Sequence, residues 1–315
     1  MQQRHPSGIA LRGEDRHLLS IVMAVVAVVA GVAMDVLAKA ASIDVPPAQV
    51  TLLRWFYGMV TLLPVMAVMG VRPGPIWRPI YLFRAGLNVI GSFCLYYALA
   101  HLPLSVVVAV FFLEPLGAIA LAGLFLKEAL SWRRAGGIVL AVIGVLLITG
   151  LDGWQLSPDL AIAVLGALCW GGMLVLTRSL GRGEPVLSLM FWLAVVTSLA
   201  MAPVALLHWR PMDLSGHLAM LGVAVCGTVY GTLGITVLRR APVRIKASCT
   251  FLSLPLAFIA GFLFFGEVPA KLAIAGGVAV LIGVALALGA GKAVMIMPSP
   301  ARRSHPAGGS GPESP

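Results

Sequence analysis

Apolar residues in this chain fall into long runs, not into the two-residue alternation of strands or the narrow stripes of soluble helices. Ten runs can be traced, at about 18–39, 48–69, 79–100, 104–126, 132–150, 158–179, 185–206, 214–238, 244–266 and 270–290. About 20 apolar residues in a helix cross a hydrocarbon core of ~30 Å. Each run therefore predicts a spanning helix, and the fold class is an all-α integral membrane protein. The fifth run is short and the third and fourth are parted only by His101-Leu102-Pro103, so nine and eleven spans are the alternative counts. Residues 1–17 read as a polar N-terminal segment. The tail 291–315, rich in Pro, Gly, Ser and Arg, is expected to be disordered. The first run is too long for the apolar part of a signal peptide and lacks a clear small-residue cleavage site, so it is expected to stay as a helix.

Composition agrees with this pattern. The 315 residues are 60% hydrophobic and only 11% charged, against about 25% charged in soluble domains. The net charge of +10 does not point to nucleic acid, because the basic residues lie between apolar runs and form no patch with interleaved aromatics. With the N-terminus inside, Lys39, Arg210 and Lys271 fall outside and Arg54 lies within a span. The other 18 of the 22 basic residues fall inside. That asymmetry predicts ten spans with both termini cytoplasmic. The four cysteines lie within runs at no metal or redox spacing and read as small packing residues. No metal, cofactor or nucleotide motif is present.

The chain also repeats. A shift of 139 residues brings Met34 onto Met173, Lys39 onto Arg178, Pro64 onto Pro203, Pro103 onto Pro242 and Gly144 onto Gly283. It also brings GLFLKE, ending at Glu128, onto FLFFGE, ending at Glu267. With one residue of slippage Pro115 matches Pro255 and Gly136-Gly137 matches Gly276-Gly277. Each half, about 18–150 and 156–290, holds five spans. An odd number forces opposite orientations in the membrane, the arrangement of inverted-repeat secondary transporters with a midplane site between the halves.

These residues resemble the EamA branch of the drug/metabolite transporter superfamily over about 18–290. The likeness rests on Arg54 in LLRWF, on Pro115 followed by the LKE end at Glu128, and on RRAGGIVLAVIGVLLI echoed by AGGVAVLIGVALAL. It implies a proton- or gradient-linked carrier of small metabolites such as amino acids, their derivatives or vitamins. One departure is that Ala30-Gly31 stands in span 1 where the family often has a tryptophan motif, whereas span 6 keeps Trp170 in LCWGGM.

Candidate site residues are the ionisable and aromatic groups at membrane depth. Glu114 is near the middle of span 4 beside Pro115, which removes a backbone donor and favours a kink. A carboxylate there suits proton coupling or a counter-charge for a cationic solute; the plainer reading is a neutral acid bonded to freed carbonyls. Asp35 is placed to pair with Lys39 one turn on, or to serve substrate or proton binding. Arg54 lies roughly 10 Å deep at ~1.5 Å per residue; it is placed to pair with Asp35 or to bind a substrate carboxylate. Trp170, Tyr97 and Tyr230 are candidate walls, among Tyr96, Phe191 and Trp192. Ser253 is the repeat counterpart of Glu114, and Pro255 is a second helix-kink residue. Arg84 is expected to snorkel to the cytoplasmic surface. The small residues of spans 5 and 10 read as a packing seam.

The expected function is a proton-linked secondary transporter in a bacterial-type inner membrane, working by alternating access. The cargo is a small polar metabolite such as an amino acid or amino-acid derivative, with metallophore export included. Import of a vitamin or adenosyl compound is the alternative, and a non-transporting scaffold is the alternative of another class. The expected partners are a small-molecule substrate, the lipid bilayer and protons, with a homodimer compatible with the pattern and no cofactor.

Overall fold

The structure, a computed structural model, describes residues 13–74, 79–118, 131–149, 157–179, 185–240, 249–268 and 271–288. The regular structure of these segments is helical: α1 (Gly13–Ala41), α2 (Pro47–Val68), α3 (Pro79–His101), α4 (Leu104–Phe111), α5 (Trp132–Thr149), α6 (Pro158–Ser179), α7 (Val186–Leu207), α8 (Leu214–Arg240), α9 (Ser253–Phe265) and α10 (Lys271–Leu288). Proline stands at or just before the first turn of most of them, as at Pro46, Pro79, Pro103, Pro158 and Pro185. Its fixed φ and missing N–H cost nothing there. Six described helices are long and apolar enough to cross a membrane, and Leu104–Ala118, Ser253–Phe265 and Lys271–Ala287 are shorter apolar helices. The N-terminal residues 1–12, Glu128 and the tail 291–315 lie outside the described residues.

The helices pack in pairs. α1 lies on α8, α3 on α6, α2 on α7, α5 on α10 and α4 on α9; weaker contacts join α2 to α8, α3 to α7, α1 to α9 and α4 to α6. These contacts are unchanged when each helix is exchanged with the one five places along. Lipid is as apolar as leucine, so such interfaces gain from close packing of small residues. The α5–α10 seam is built that way. A Cβ on Gly144 would stand 2.6 Å from the Gly276 carbonyl oxygen and the Val280 nitrogen, and one on Gly283 would stand 2.5 Å from the Ala141 nitrogen. Gly137 faces Gly283 and Ala287, so the two helices run antiparallel. Gly136, expected in the seam, meets nothing within 4 Å. Gly277 turns instead toward Leu254 and Phe258 of α9. Large apolar side chains point outward in compensation, Leu199 at 69% and Phe264 at 69% exposure among them.

Two helices are broken at matching places. Helix α4 is interrupted by a turn at Phe112 and resumes over 113–118; residues 249–250 are helical, 251–252 form a turn, and α9 follows. A proline ring crowds the carbonyl four residues earlier and leaves it without its helical donor. For Pro115 that carbonyl is Phe111's and for Pro255 it is Phe251's. At the turn the Phe112 amide is shared between the Val108 and Ala109 carbonyls at 3.2 Å each. The rings of Phe112 and Phe251 stack with centroids 6.1 Å apart and planes at 12°, so the two breaks face one another.

The seam gives a contrast to measure. Gly137→Ala should lower the stability of the detergent-solubilised protein by about 1–3 kcal/mol, the usual result of overpacking. Gly136→Ala, one residue away, should leave it unchanged or slightly raised. Equal thermal midpoints for the two variants would contradict the seam.

Candidate functional site

Two adjoining cavities lie where the broken helices meet α1, α3, α6 and α8. The first, about 150 Å³, is bordered by Gly31, Met34 and Asp35 of α1, by Phe111, Phe112, Glu114 and Pro115, and by Phe251 and Ser253. The second, about 110 Å³, is bordered by Arg54 and Trp55 of α2, by Arg84, Asn88, Ser92 and Tyr96 of α3, by Thr177 of α6, and by Gly227 and Gly231 of α8. Met34, Glu114, Trp170, Leu174 and Tyr230 border both. The first cavity is acidic and aromatic, the second basic and rich in hydroxyl and amide groups.

Glycines admit the large groups. The Tyr230 ring lies where a Cβ on Gly31 would be 3.0 Å from it, and the Trp170 indole occupies the place of a Cβ on Gly91. Arg54 is pressed against Gly227 and Gly58 in the same way, with its guanidinium 4.5 Å from the Trp55 ring centre. Trp170 meets Phe111 edge to face at 5.2 Å. Both cavity acids, Glu114 and Asp35, act electrostatically on Tyr230. Three buried polar atoms around the cavities have no hydrogen-bond partner: Asp35 Oδ1, Arg54 Nε and Trp170 Nε1. Buried polar groups are nearly always bonded, so an acceptor and two donors left over around one space mark a place that receives something polar.

The structure brings Glu114, Asp35, Arg54, Trp170, Tyr230, Ser253 and Pro115 to these cavities. It places Tyr97 elsewhere: its hydroxyl donates to Asp159 at 3.0 Å and its ring stacks on His101 at 4.2 Å. Pro255 is exposed and acts from outside the lining. The Ser253 hydroxyl is spent on the Thr250 carbonyl at 2.7 Å. Phe191 and Trp192 pack on each other, and the Trp192 indole donates to the Gly74 carbonyl at 2.7 Å. The two expected ion pairs do not form, as Asp35 meets neither Lys39 nor Arg54. Tyr96 interacts electrostatically with both Asp35 and Arg54, and its hydroxyl donates to Met34 Sδ at 4.0 Å.

Arg84 is the residue the sequence reading misjudged. It does not snorkel: it is 2% exposed, its Nε donates to Thr177 Oγ1 at 2.9 Å and its Nη1 to the Leu189 carbonyl at 3.5 Å. The signal was present in the chain. Arg84, Asn88, Ser92 and Tyr96 recur every four residues, so a helix sets them on one face. Asn88 donates to Thr197 at 2.9 Å, and Ser92 accepts from the Trp55 indole at 3.1 Å.

One turn beyond Asp35, α1 is tied to the α3–α4 turn and to the end of α9. Lys39 Nζ lies 3.1 Å from Glu267 Oε1 and donates to the Leu102 carbonyl at 2.6 Å. Both Glu267 oxygens accept from the Leu104 amide, at 3.1 and 2.9 Å, placing a carboxylate on the N-terminus of α4, where the helix dipole favours it. Gly266, at φ 65°, ends α9 in the left-handed conformation and turns Glu267 back toward this corner, as such caps do.

With this geometry in view, comparison with known proteins is decisive. The pattern of the EamA-like transporter family matches residues 18–150 and again 158–289. The chain belongs to the EamA-like transporter family. Family membership makes it a multi-pass membrane transporter, not an enzyme. This EamA protein is 26% identical to a protein of Rickettsia conorii named as an S-adenosylmethionine uptake transporter, over 84% of this chain and 90% of that one. It is also 26% identical to a pseudopaline exporter of Pseudomonas aeruginosa, over 83% of this chain and 93% of that one. A riboflavin transporter of Vibrio cholerae is 25% identical over 71% and 76% of the two chains. A crystal structure 18% identical in sequence superposes with a TM-score of 0.63, over 86% of this chain and 96% of that one. That likeness concerns the fold alone.

The glycine seats of this EamA protein yield an optical test. Gly91→Val should expel the Trp170 indole from its seat and shift its emission, measured in a variant retaining Trp170 as sole tryptophan. An unshifted spectrum would show that the seat does not hold the ring.

Proposed function

We propose that the protein is an inner-membrane secondary carrier of small polar metabolites, built of two oppositely oriented halves, about 18–150 and 156–290, that rock about the paired helix breaks. The observation that carries this reading is the coincidence of three things. The main helix pairings map onto one another on exchange of the halves, both crossing helices are broken at Phe112 and Phe251, and Glu114 stands beside the break on the shared cavity wall. Irregular backbone at membrane depth is tolerated where it lines a cavity, and a charge there is retained for function, since it is costly otherwise.

In this reading both termini are cytoplasmic and the Lys39–Glu267 corner closes the outer side. Glu114 takes up and releases the coupling proton. It has the protonation chemistry and the position, and its repeat counterpart Ser253 is uncharged. The two acids favour a cargo with a cationic part, an amino acid or amino-acid derivative such as a metallophore. The aromatic wall of Trp170, Tyr230 and Phe111 favours the second reading, a flat vitamin or adenosyl compound. Relatives named for uptake and for export both support running the flux assay in both directions.

Two outcomes test the reading. In proteoliposomes holding a metabolite mixture, the protein should move at least one solute down its gradient and accumulate it against one when a pH gradient is imposed. A protein that moves nothing is a scaffold. Glu114→Gln should abolish pH-driven accumulation while preserving exchange of solute for solute. Proton-driven accumulation that persists in this variant would remove Glu114 from the coupling step. Opening of the outer corner predicts that Lys39→Met raises the exchange rate; an unchanged rate would mean that the corner is not a gate.

A further inference from the structure

We infer that Arg54 is an oxyanion subsite of the transport site, and that the cargo is recognised through a zwitterionic head group, its carboxylate on Arg54 and its cationic nitrogen on Asp35. The inference rests on the carrier reading of these cavities and narrows its substrate class.

Arg54 is 5% exposed and a guanidinium stays charged in any protein environment. Its surroundings are the Trp55 ring, the Tyr96 hydroxyl and the two glycines that make room for it. Its Nε has no hydrogen-bond partner, and no carboxylate pairs with it among the described residues. A buried charge without a counter-charge is among the most costly features a helix bundle can hold. Asp35 mirrors this state in the adjoining cavity, its Oδ1 equally without a partner. Both groups act electrostatically on Tyr96. Direct pairing would have cancelled both charges inside the protein. They form no ion pair with each other, and a solute carrying both signs completes both at once.

The geometry favours a carboxylate over a phosphate. Asp35 and Glu114 share the wall, so a dianion would meet repulsion across a short, poorly screened distance. A head group of zero net charge meets none. The planar fork of the guanidinium also matches the two oxygens of a carboxylate. Trp170 and Tyr230, which border both cavities, then contact the remainder of the cargo.

The test uses the full-length chain in proteoliposomes and three pairs of probes that differ by one carboxylate: arginine and agmatine, lysine and cadaverine, S-adenosylmethionine and its decarboxylated form. The wild type should transport the carboxylated member of at least one pair about tenfold faster or more, the usual worth of a charge-assisted hydrogen bond. Arg54→Gln should reduce that ratio to about twofold or less. Gly227→Ala, which keeps the arginine but takes its space, should do the same. Both variants are checked for monodispersity and thermal midpoint. Equal rates for both members of every transported pair in the wild type overturn the subsite without any variant. So does a ratio retained in a well-folded Arg54→Gln. If riboflavin moves and none of the six probes does, the head-group assignment falls and the carrier reading stands. If nothing moves, the carrier reading falls and the assignment with it.

Discussion

Close approach at glycine is the constraint on which this site depends. Gly31 seats Tyr230, Gly91 seats Trp170 and Gly227 seats the Arg54 guanidinium; any Cβ at these positions would take space that a ring or a charge now fills. The first two contacts are counterparts. The 139-residue shift carries Gly31 to Trp170 and Gly91 to Tyr230, so the same two positions meet twice, once across α1 and α8 and once across α3 and α6. In each meeting the second half supplies the aromatic ring and the first supplies the glycine. A nearly symmetric scaffold thereby obtains an uneven wall, with both glycine-seated rings from the second half and both cavity acids from the first. The span 1 departure from the family motif, Ala30-Gly31, is explained in the same way: the ring that span 1 lacks is delivered to Gly31 by α8.

Lipid sets the second condition. Backbone and side-chain polar groups within the bilayer have no water to fall back on, so they are satisfied inside the bundle or face a wet space. Most of them here are satisfied: Asn88 by Thr197, Trp55 by Ser92, and Gln49, fully buried, by the Arg210 backbone through both ends of its amide. Against that background the unpartnered Asp35 Oδ1, Arg54 Nε and Trp170 Nε1 stand out because they lie on two adjoining cavities, whereas Ser198 Oγ and Thr232 Oγ1, also without a partner, do not line them.

The corner beyond Asp35 is of a different kind. Lys39 and Glu267 retain 15% and 20% of their side-chain exposure, so their pairing is partly screened and contributes on the order of 1 kcal/mol or less. The pair joins α1, the α3–α4 turn and the end of α9, three elements from both halves. A weak, solvent-reachable pair can part at little cost, which a deeply buried pair could not do without stranding a charge.

Much was legible from the chain alone. Apolar run length set the helices, because spanning a hydrocarbon core demands it. The repeat placed the two proline breaks, and small-residue spacing located the α5–α10 seam. Glu114, Trp170 and Tyr230 could be named as lining because charge and large polar-tipped rings are costly in lipid. What failed was pairing. Asp35 stands one turn from Lys39 and at similar depth to Arg54, yet meets neither. Arg84 lies near a helix end, yet turns inward. Sequence by itself determines how deep a residue lies and which face of its helix it shares, since both follow from rise and pitch. Only the tertiary structure decides how each helix is rotated against its neighbours. That rotation, set by which glycines let which rings and charges approach, left Asp35 and Arg54 each without the partner that depth alone had suggested.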